Sequence, residues 1–248
     1  MKEWIVGRNP IYEILVAKRR QLFRLVIARG VEEKGRLAEI MTLARQRRLL
    51  VEWQARPQLD ALGENHQGIA LEASGYPYST LQDIQLLAEQ RQQPLFILIL
   101  DIIQNPQNLG TLLRTAEAVG VHGVLLPLRR AAGVTPAVVH ASSGASEHLQ
   151  IASLNLAKAI STLKEAGAWV IGLEGSSQAI PVETARLDGS LALVVGSEGE
   201  GLRPLVRQSC DLLVRLNMLG QVESLNAAVA GSIVLYLALQ ARQAKAHP

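Results

Sequence analysis

From residue 95 onward, short apolar segments alternate with longer segments in which apolar residues recur at helical spacing. The apolar segments are predicted strands, at 95–101, 123–127, 148–152, 168–173, 191–196 and 212–216. The amphipathic segments are predicted helices, at 109–119, 135–141, 154–165, 203–208 and 223–242. Strands that are apolar throughout and alternate with helices are typical of a parallel sheet covered on both faces. The pattern therefore predicts an α/β fold for this part of the chain.

The first 73 residues have a different pattern, which predicts a smaller α/β unit. Predicted helices cover 9–18 and 35–48, and predicted strands cover 22–28, 51–53 and 68–72. Asn9 before Pro10 is predicted to cap the first helix. The stretch Ser74-Gly75-Tyr76-Pro77-Tyr78-Ser79 then breaks the periodicity. We therefore predict a first domain at 1–73, a linker at 74–94 and a second domain at 95–248.

Charge is distributed unevenly along the chain. Residues 1–56 contain 13 Lys and Arg against 6 Asp and Glu, a balance of +7, whereas residues 57–248 have a balance of −4. Such asymmetry favours a module that binds a polyanion, because phosphate contacts supply most sequence-independent affinity for nucleic acid. Lys18, Arg19, Arg20 and Arg24 are the candidate cations for binding nucleic acid. A merely solvated basic face is the alternative, in which case binding would be reassigned to the second domain or to Arg36, Arg45, Arg47 and Arg48.

Composition excludes several other classes of protein. The first residues lack the apolar segment of a signal peptide, so we expect a cytoplasmic protein. The apolar run Leu225 to Leu239 has 15 residues, too few for a membrane span, and predicts a buried helix. The single cysteine, Cys210, excludes an intramolecular disulfide. The five histidines show no metal-ligand spacing, so no metal is expected.

The first of three polar segments runs from Asp101 to Gly110 and enters a helix that contains Arg114. Ligands of open α/β sheets bind beyond the carboxyl ends of the strands, where this segment is predicted to lie. Asn108 and Arg114 are therefore candidate site residues. The alternatives are that Asn108 is an ordinary helix cap and that Arg114 forms an ordinary surface pair with Glu117.

The second segment, Gly196-Ser197-Glu198-Gly199-Glu200-Gly201, follows a predicted strand. Its glycines allow close backbone approach and positive φ angles, as nucleotide sites and plain turns both require. The spacing matches neither G-x-G-x-x-G nor a P-loop, and Glu198 and Glu200 would repel phosphates. The segment therefore favours an adenosine-like cofactor without phosphates.

The third segment runs from Leu216 to Asn226 and enters the long apolar helix. Burying the Asn226 amide without partners would cost of the order of 1–3 kcal/mol, so we expect it to be hydrogen-bonded. A satisfied structural asparagine and a functional one are equally compatible with the sequence.

Together the three segments resemble motifs one, two and three of the SPOUT superfamily, in the branch of tRNA and rRNA ribose 2′-O-methyltransferases. The resemblance spans residues 95–240. Its motif residues are Asn108, Gly110, Arg114 and Ala116 in motif one, 196–201 in motif two, and Gly220, Ser224, Leu225 and Asn226 in motif three. The first domain is similar to the L30-like domain of the branch that forms 2′-O-methylguanosine in large-subunit rRNA, through Gly7 and His66-Gln67-Gly68-Ile69. Asn217 stands where the family usually has proline, and Thr111 where it usually has a smaller residue.

The resemblance implies an S-adenosylmethionine-dependent methyltransferase with a deep trefoil knot in its second domain. The implied cofactor-binding residues are Gly196, Leu216, Met218, Ser224 and Leu225. The implied catalytic residues are Arg114, Asn108, Glu198, Ser224 and Asn226. The implied partners are a structured RNA and a second copy of the chain, with no membrane or DNA. A guanosine of large-subunit rRNA is the expected substrate, and a tRNA or a non-catalytic role in RNA binding is the alternative.

Arginine is a poor general base, because its pKa lies above about 12 and it is almost never neutral. We therefore expect Arg114 to clamp a phosphate and to stabilise negative charge that develops on the ribose 2′-oxygen. The sequence assigns no general base.

Overall fold

A computed structural model describes residues 2–129, 131–197, 199–222 and 224–246. The strands are β1 Lys2–Val6, β2 Leu22–Ala28, β3 Leu50–Gln54, β4 Ile69–Ser74, β5 Phe96–Leu100, β6 Gly123–Pro127, β7 Ile151–Leu154, β8 Trp169–Leu173, β9 Ile180–Pro181, β10 Leu191–Val195 and β11 Leu212–Arg215. The helices are α1 Arg8–Ala17, α2 Arg36–Gln46, α3 Arg56–Asp60, α4 Leu81–Gln90, α5 Pro106–Ala118, α6 Pro136–Ala141, α7 Leu156–Glu165, α8 Pro204–Ser209 and α9 Ala227–Ala246. Ala145–His148 and Val182–Thr184 form 3-10 turns.

By their internal contacts, the residues form two compact units. The first contains Met1–Pro77 together with Val134–His148, and the second contains Tyr78–Gly133 and Leu149–Pro248. The segment Val134–His148 lies inside the predicted second domain, but its helix α6 contacts β1 and its 3-10 turn contacts α1. The periodicity of the sequence did not predict that Val134–His148 belongs to the first unit.

The second unit is built on a parallel sheet, as predicted. Over the described residues, the strand order is β7-β6-β5-β10-β8-β11-β9, and every pairing is parallel. The predicted strand at 148–152 is displaced, because Ala145–His148 forms a 3-10 turn and β7 starts only at Ile151. The short β9, which pairs with the end of β11, was not predicted.

Helices cover both faces of this sheet, as the apolar strands require. On one face, Ile97, Ile99 and Val194 share a buried cluster with residues of α4, α7 and α8. On the other face α5 packs against α9, where a side chain at Gly231 would lie 2.7 Å from Leu112 and 3.1 Å from Val195. This close approach fixes α5 and α9 beside β10.

Part of the predicted linker is helical. Helix α4 starts with a capping box, in which the Thr80 hydroxyl accepts from the Asp83 amide at 3.2 Å and the Asp83 carboxylate accepts from the Thr80 amide at 2.7 Å. Its Ile84 is fully buried in the core of the second unit. The predicted linker 74–94 therefore contains the helix Leu81–Gln90, and the predicted domain bounds stay a prediction.

The first unit has a mixed sheet in the order β1-β4-β2-β3. Strand β4 is antiparallel to β1 and β2, and β3 is parallel to β2. Gly7, not Asn9, precedes the first helix, and its φ of 95° suits glycine. Strand β1 and helix α3 were not predicted. In the part of the chain that the structure describes, no helix has the length and apolarity needed to cross a membrane.

Candidate cofactor site and RNA-binding residues

A cavity of about 560 Å³ opens beyond the carboxyl ends of β8, β10 and β11. This is the edge at which open α/β sheets bind ligands. The five predicted cofactor-binding residues all line it, namely Gly196, Leu216, Met218, Ser224 and Leu225. Motifs two and three therefore meet at one cavity. Contact of these residues with a cofactor stays a prediction.

The glycine-rich loop forms one wall of this cavity and folds back on itself. Ser197 and Gly201 exchange two backbone hydrogen bonds of 3.1 Å, which close the loop. Gly199 and Gly201 have φ angles of 89° and 68°, in the region that favours glycine. A side chain at Gly196 would collide with the Gly201 carbonyl and lie 2.7 Å from the Leu202 nitrogen. Glu198, a predicted catalytic residue, lies outside the described residues.

Residues that follow β8 form the facing wall, and sequence reasoning missed them. The Glu174 carboxylate accepts from Arg207 Nε at 2.9 and 3.1 Å, and Arg207 also donates to the Gln178 side chain at 2.7 Å. Ser176 also lines the cavity, and its hydroxyl is the buried side-chain polar atom that lacks a hydrogen-bond partner among the described residues. The rule that ligands bind after strand ends would have identified this segment, had it been applied to β8.

Asn108 and Asn226 connect motif one to motif three. The Asn226 amide nitrogen donates to Asn108 Oδ1 at 3.1 Å, and Asn226 Oδ1 accepts from the backbone amides of Ala228 and Val229 at 2.9 and 3.3 Å. Asn226 therefore caps α9 and also contacts α5. Asn226 therefore has the hydrogen bonds expected of a structural asparagine, and its contact with substrate stays a prediction.

Asn108 is not the cap of α5. Asn105 has that position, with its side-chain oxygen accepting from the Gln107 amide at 2.8 Å. Asn108 lies in the first turn of α5, on the same face of the helix as Thr115. The Thr115 hydroxyl lies 2.8 Å from the Ser232 hydroxyl on α9. Asn108 therefore belongs to the α5–α9 contact.

Arg114 is exposed on α5 and is not among the residues that line the cavity. At 100° per residue, its side chain projects about 120° around the helix from that of Asn108. One copy of the chain therefore does not bring Arg114 to the cavity wall as it does Ser224.

Among the candidate RNA-binding cations, Arg20 must be corrected. Its side chain is 0% exposed, and it forms ion pairs of 2.8 Å with Glu147 and 3.0 Å with Glu3. Burial lowers the pKa of Arg20, but hydrogen bonds and attraction from Glu147 and Glu3 outweigh that effect and raise it. Since a phosphate contact needs an accessible guanidinium, the prediction for Arg20 is wrong.

The other three cations differ in their surroundings. Lys18 is exposed at the end of α1. Arg19 donates to the Tyr76 hydroxyl at 2.9 Å and to the Pro77 carbonyl at 3.1 Å. Arg24 pairs with Glu72 at 2.9 Å and Glu52 at 3.3 Å, which balance its charge. Lys18 is thus the one of these four that the structure leaves both exposed and without a carboxylate among the described residues.

Two family models match the chain. The SpoU rRNA Methylase family matches residues 95–236, and the RNA 2′-O ribose methyltransferase substrate-binding model matches residues 4–79. A Bacillus subtilis (strain 168) protein that carries the name TrmH family tRNA/rRNA methyltransferase is 39% identical over 238 residues, 94% of each chain. A Staphylococcus aureus (strain COL) protein of the same name is 38% identical over 234 residues, covering 94% of this chain and 93% of its own.

Solved structures have the same fold at lower identity. The SpoU methyltransferase AviRb from Streptomyces viridochromogenes, in complex with the cofactor AdoMet, superposes with a TM-score of 0.82 at 22% identity. That match covers 98% of this chain and 91% of AviRb. The AdoMet-bound rRNA methyltransferase from Sinorhizobium meliloti gives a TM-score of 0.79 at 23% identity, over 96% of this chain and 87% of its own. At such identities the likeness establishes the fold alone.

Proposed function

Because the chain belongs to the SpoU rRNA methylase family, we propose that it transfers a methyl group from S-adenosylmethionine to a ribose 2′-hydroxyl of a structured RNA. One observation carries the proposal. The five residues expected to bind the cofactor line a single cavity at the carboxyl edge of the sheet, together with the Ser176 hydroxyl, which has no hydrogen-bond partner in the described part of the chain.

The chemistry of the cavity suits S-adenosylmethionine. Backbone groups of the glycine-rich loop and of Leu216 and Met218 would hold the adenosine, and Ser176 has a hydrogen bond to offer. Arg207 pairs with Glu174 and donates to Gln178, so two of its guanidinium nitrogens are hydrogen-bonded within the wall. A sulfonium cofactor carries positive charge and no phosphate, which fits a wall that contains Glu174 and Glu200. When bound, it supplies an electrophilic methyl group.

The chain itself must align the ribose and manage charge, because an in-line transfer depends on orientation. In this proposal Ser224, Asn108, Asn226 and Glu198 orient the ribose or the motif loops. Arg114 clamps a phosphate and stabilises negative charge on the 2′-oxygen.

For the substrate, we propose a guanosine of large-subunit rRNA. The resemblance of the first domain to the L30-like domain of that branch supports this choice, and the substrate-binding model that matches residues 4–79 supports an RNA. A tRNA ribose is the second candidate, because the names of the relatives include both RNAs. Mapping ribose methylation in RNA from a deletion strain would separate the two candidates.

We also propose a homodimer. On α9, Val229, Ile233 and Tyr236 recur at helical spacing and are 47%, 39% and 50% exposed. Such an apolar row is typical of a subunit interface. Arg114 does not reach the cofactor cavity of its own chain. A second copy packed against this row would allow Arg114 to act at the cofactor cavity of the partner subunit.

The test of the activity uses the full chain and Arg114→Ala. S-adenosylhomocysteine should bind both proteins with similar affinity in calorimetry, whereas transfer of labelled methyl to cellular RNA should fall at least about 100-fold in the variant. The substitution removes an exposed side chain, so the thermal melt should stay close to that of the parent. Absence of cofactor binding by the parent would overturn the proposed function, and an active variant would discard the role of Arg114.

A further inference from the structure

A second groove lies at the carboxyl edge of the parallel sheet, beyond β6 and β7. Its volume is about 450 Å³, and Pro127 and Leu154, which pair at the ends of these strands, contribute to its floor. Leu202 lines the cofactor cavity and the next residue, Arg203, lines this groove. The two sites are therefore neighbours along one edge.

Arg129 and Arg203 line the groove, and Arg203 pairs with the buried Asp101. No acidic side chain is among the described residues of the lining itself. Arg129 is exposed, and within the described part of the chain no carboxylate pairs with it. The remaining surface is largely apolar and includes the side chains of Leu128 and Leu205, which are 67% and 63% exposed. Cations beside accessible apolar surface match an RNA strand, which presents phosphates and base faces.

Arg203 is held in place from beneath by a buried carboxylate. Asp101, at the end of β5, is 0% exposed, and its Oδ1 accepts from Arg203 Nε and its second terminal nitrogen, both at 2.7 Å. Asp101 Oδ2 accepts from the Arg203 backbone amide at 2.8 Å, and the Asp101 amide donates to the Val195 carbonyl at 2.8 Å. Two guanidinium nitrogens and the backbone amide of Arg203 are thus held by Asp101, while 42% of the Arg203 side chain stays exposed.

The fixed position of the Arg203 guanidinium favours the binding of an anion. A flexible arginine loses side-chain entropy when it binds a phosphate, whereas an arginine whose rotamer is already fixed loses much less. Its guanidinium keeps donors beyond those bonded to Asp101. A buried carboxylate behind an exposed arginine is therefore a preorganised anion contact.

We infer that the groove of Arg129 and Arg203 binds a phosphodiester of the RNA substrate next to the cofactor cavity, with Asp101 as a positioning residue for Arg203. The inference rests on the proposed function for the identity of the RNA. It adds a contact in the second unit to those expected in the first, and it assigns to Asp101 a role that the motif resemblance did not.

The test compares Arg129→Gln, Arg203→Gln and Asp101→Asn in the full chain with the matched control Arg186→Gln. Arg186 is an exposed arginine that lines a different cavity, with Trp169 and Leu191 at the opposite ends of their strands. Binding of a fluorescein-labelled large-subunit rRNA transcript, and of a labelled tRNA transcript, is followed by anisotropy without cofactor over a series of KCl concentrations.

Each groove arginine variant should weaken RNA binding about three- to tenfold and reduce the slope of log K against log salt by about 0.7–0.9. The control should match the parent. Asp101→Asn should raise the KM for RNA severalfold and change kcat by less than about twofold, a division that loss of folding would not give. Arg129 holds no other described group in place, so Arg129→Gln should leave the fold intact. It therefore tests the inference even if the Asp101 or Arg203 variants have a lower melting temperature.

Parental affinity and salt slope in Arg129→Gln and Arg203→Gln would overturn the inference. A change in sedimentation with RNA affinity unchanged would overturn it as well, because the groove would then be a contact between subunits. Cofactor binding by the parent is measured in the same preparations. The proposed function fails if that binding is absent, whereas the groove fails only on the RNA measurements.

Discussion

At the residue scale, Gly196 shows why the glycine-rich loop tolerates so little change. A Cβ there would overlap the Gly201 carbonyl and crowd the Leu202 nitrogen, and these are backbone atoms that cannot rotate away. We expect Gly196→Ala to open the loop and weaken S-adenosylhomocysteine binding at least tenfold, or about 1.4 kcal/mol, in calorimetry.

Gly189→Ala is the control for that prediction. Among the described residues, a Cβ at Gly189 would meet only the end of the Arg186 side chain, at 3.9 Å, and Gly189 lines a cavity at the opposite ends of the strands from the loop. Equal cofactor affinity in the two variants would mean that the loop does not contact the cofactor.

His122 makes stability depend on pH in a definite direction. Its ring is buried, Nδ1 accepts from the Phe96 amide at 3.0 Å, and Nε2 lies 3.1 Å from the Gln93 side-chain oxygen. Burial, with repulsion from Arg91 and Arg242, lowers the pKa of His122 from 6.5 to about 4. Between pH 4 and pH 6.5, His122 is therefore protonated in the unfolded chain and neutral in the folded chain.

Stability from His122 is consequently full above pH 6.5 and is lost as the pH falls toward 4. The loss at pH 4 is of the order of 2–3 kcal/mol. Urea denaturation of the parent and of His122→Asn, whose side chain does not titrate, should show a difference in unfolding free energy that shrinks on acidification. A constant difference from pH 8 to pH 4 would contradict the shifted pKa.

Residue identity was more predictable than residue environment. Gly196 and the other four cofactor-cavity residues were identified through the motifs, because spacing within a loop is local. Arg20 was misassigned beside Lys18 and Arg19, because its partner Glu147 lies 127 residues away. Ser176 had no motif to mark it.

At the scale of elements, periodicity identified the segments that are buried on both faces. Strands β5, β6 and β10 consist of buried residues throughout, and their predicted bounds agree to within one residue. Strand β1 was missed because most of its residues are only half-buried and it acquires its structure by pairing with β4, which lies about 70 residues later. Helix α4 was missed although Thr80 and Asp83 have capping-box spacing, because the turn residues before it dominated the interpretation.

The start of α9 offers a test of what Asn226 does. Asn226→Ala removes both the cap and the contact with Asn108, so the unfolding free energy should fall by about 1–2 kcal/mol. Asn226→Asp keeps an acceptor at the helix N-terminus, where negative charge is favourable, and loses only the donor to Asn108, so its unfolding free energy should fall by less than that of Asn226→Ala.

Urea denaturation measures the stability of these variants, and labelled methyl transfer measures their activity. If Asn226→Asp is stable but inactive, the amide has the role in the reaction that we propose. Full activity in Asn226→Asp would reduce Asn226 to a helix cap.

At the scale of the whole molecule, the α/β class was predictable and the strand order was not. Alternation of strand and helix indicates a parallel sheet, but the order β7-β6-β5-β10-β8-β11-β9 depends on which crossover passes which face, and periodicity does not encode this. The trefoil knot stays a prediction from the family resemblance. The assignment of Val134–His148 to the first unit depends on long-range contacts such as the Arg20–Glu147 pair.

The proposed homodimer gives the last prediction. If the row of Val229, Ile233 and Tyr236 packs against a second copy, two carboxylates placed in it would be buried in apolar surroundings without partners, at a cost of several kcal/mol. Ile233→Glu with Tyr236→Glu should therefore sediment as a monomer at micromolar concentration, where the parent sediments as a dimer. Leu86→Glu on α4, where leucine is 42% exposed, is the matched control and should stay dimeric. Because Arg114 lies away from the cavity of its own chain, the monomeric variant should also lose methyl transfer while it still binds S-adenosylhomocysteine. A parent that is monomeric and active at micromolar concentration would contradict both the dimer and the assignment of Arg114 to a partner's site.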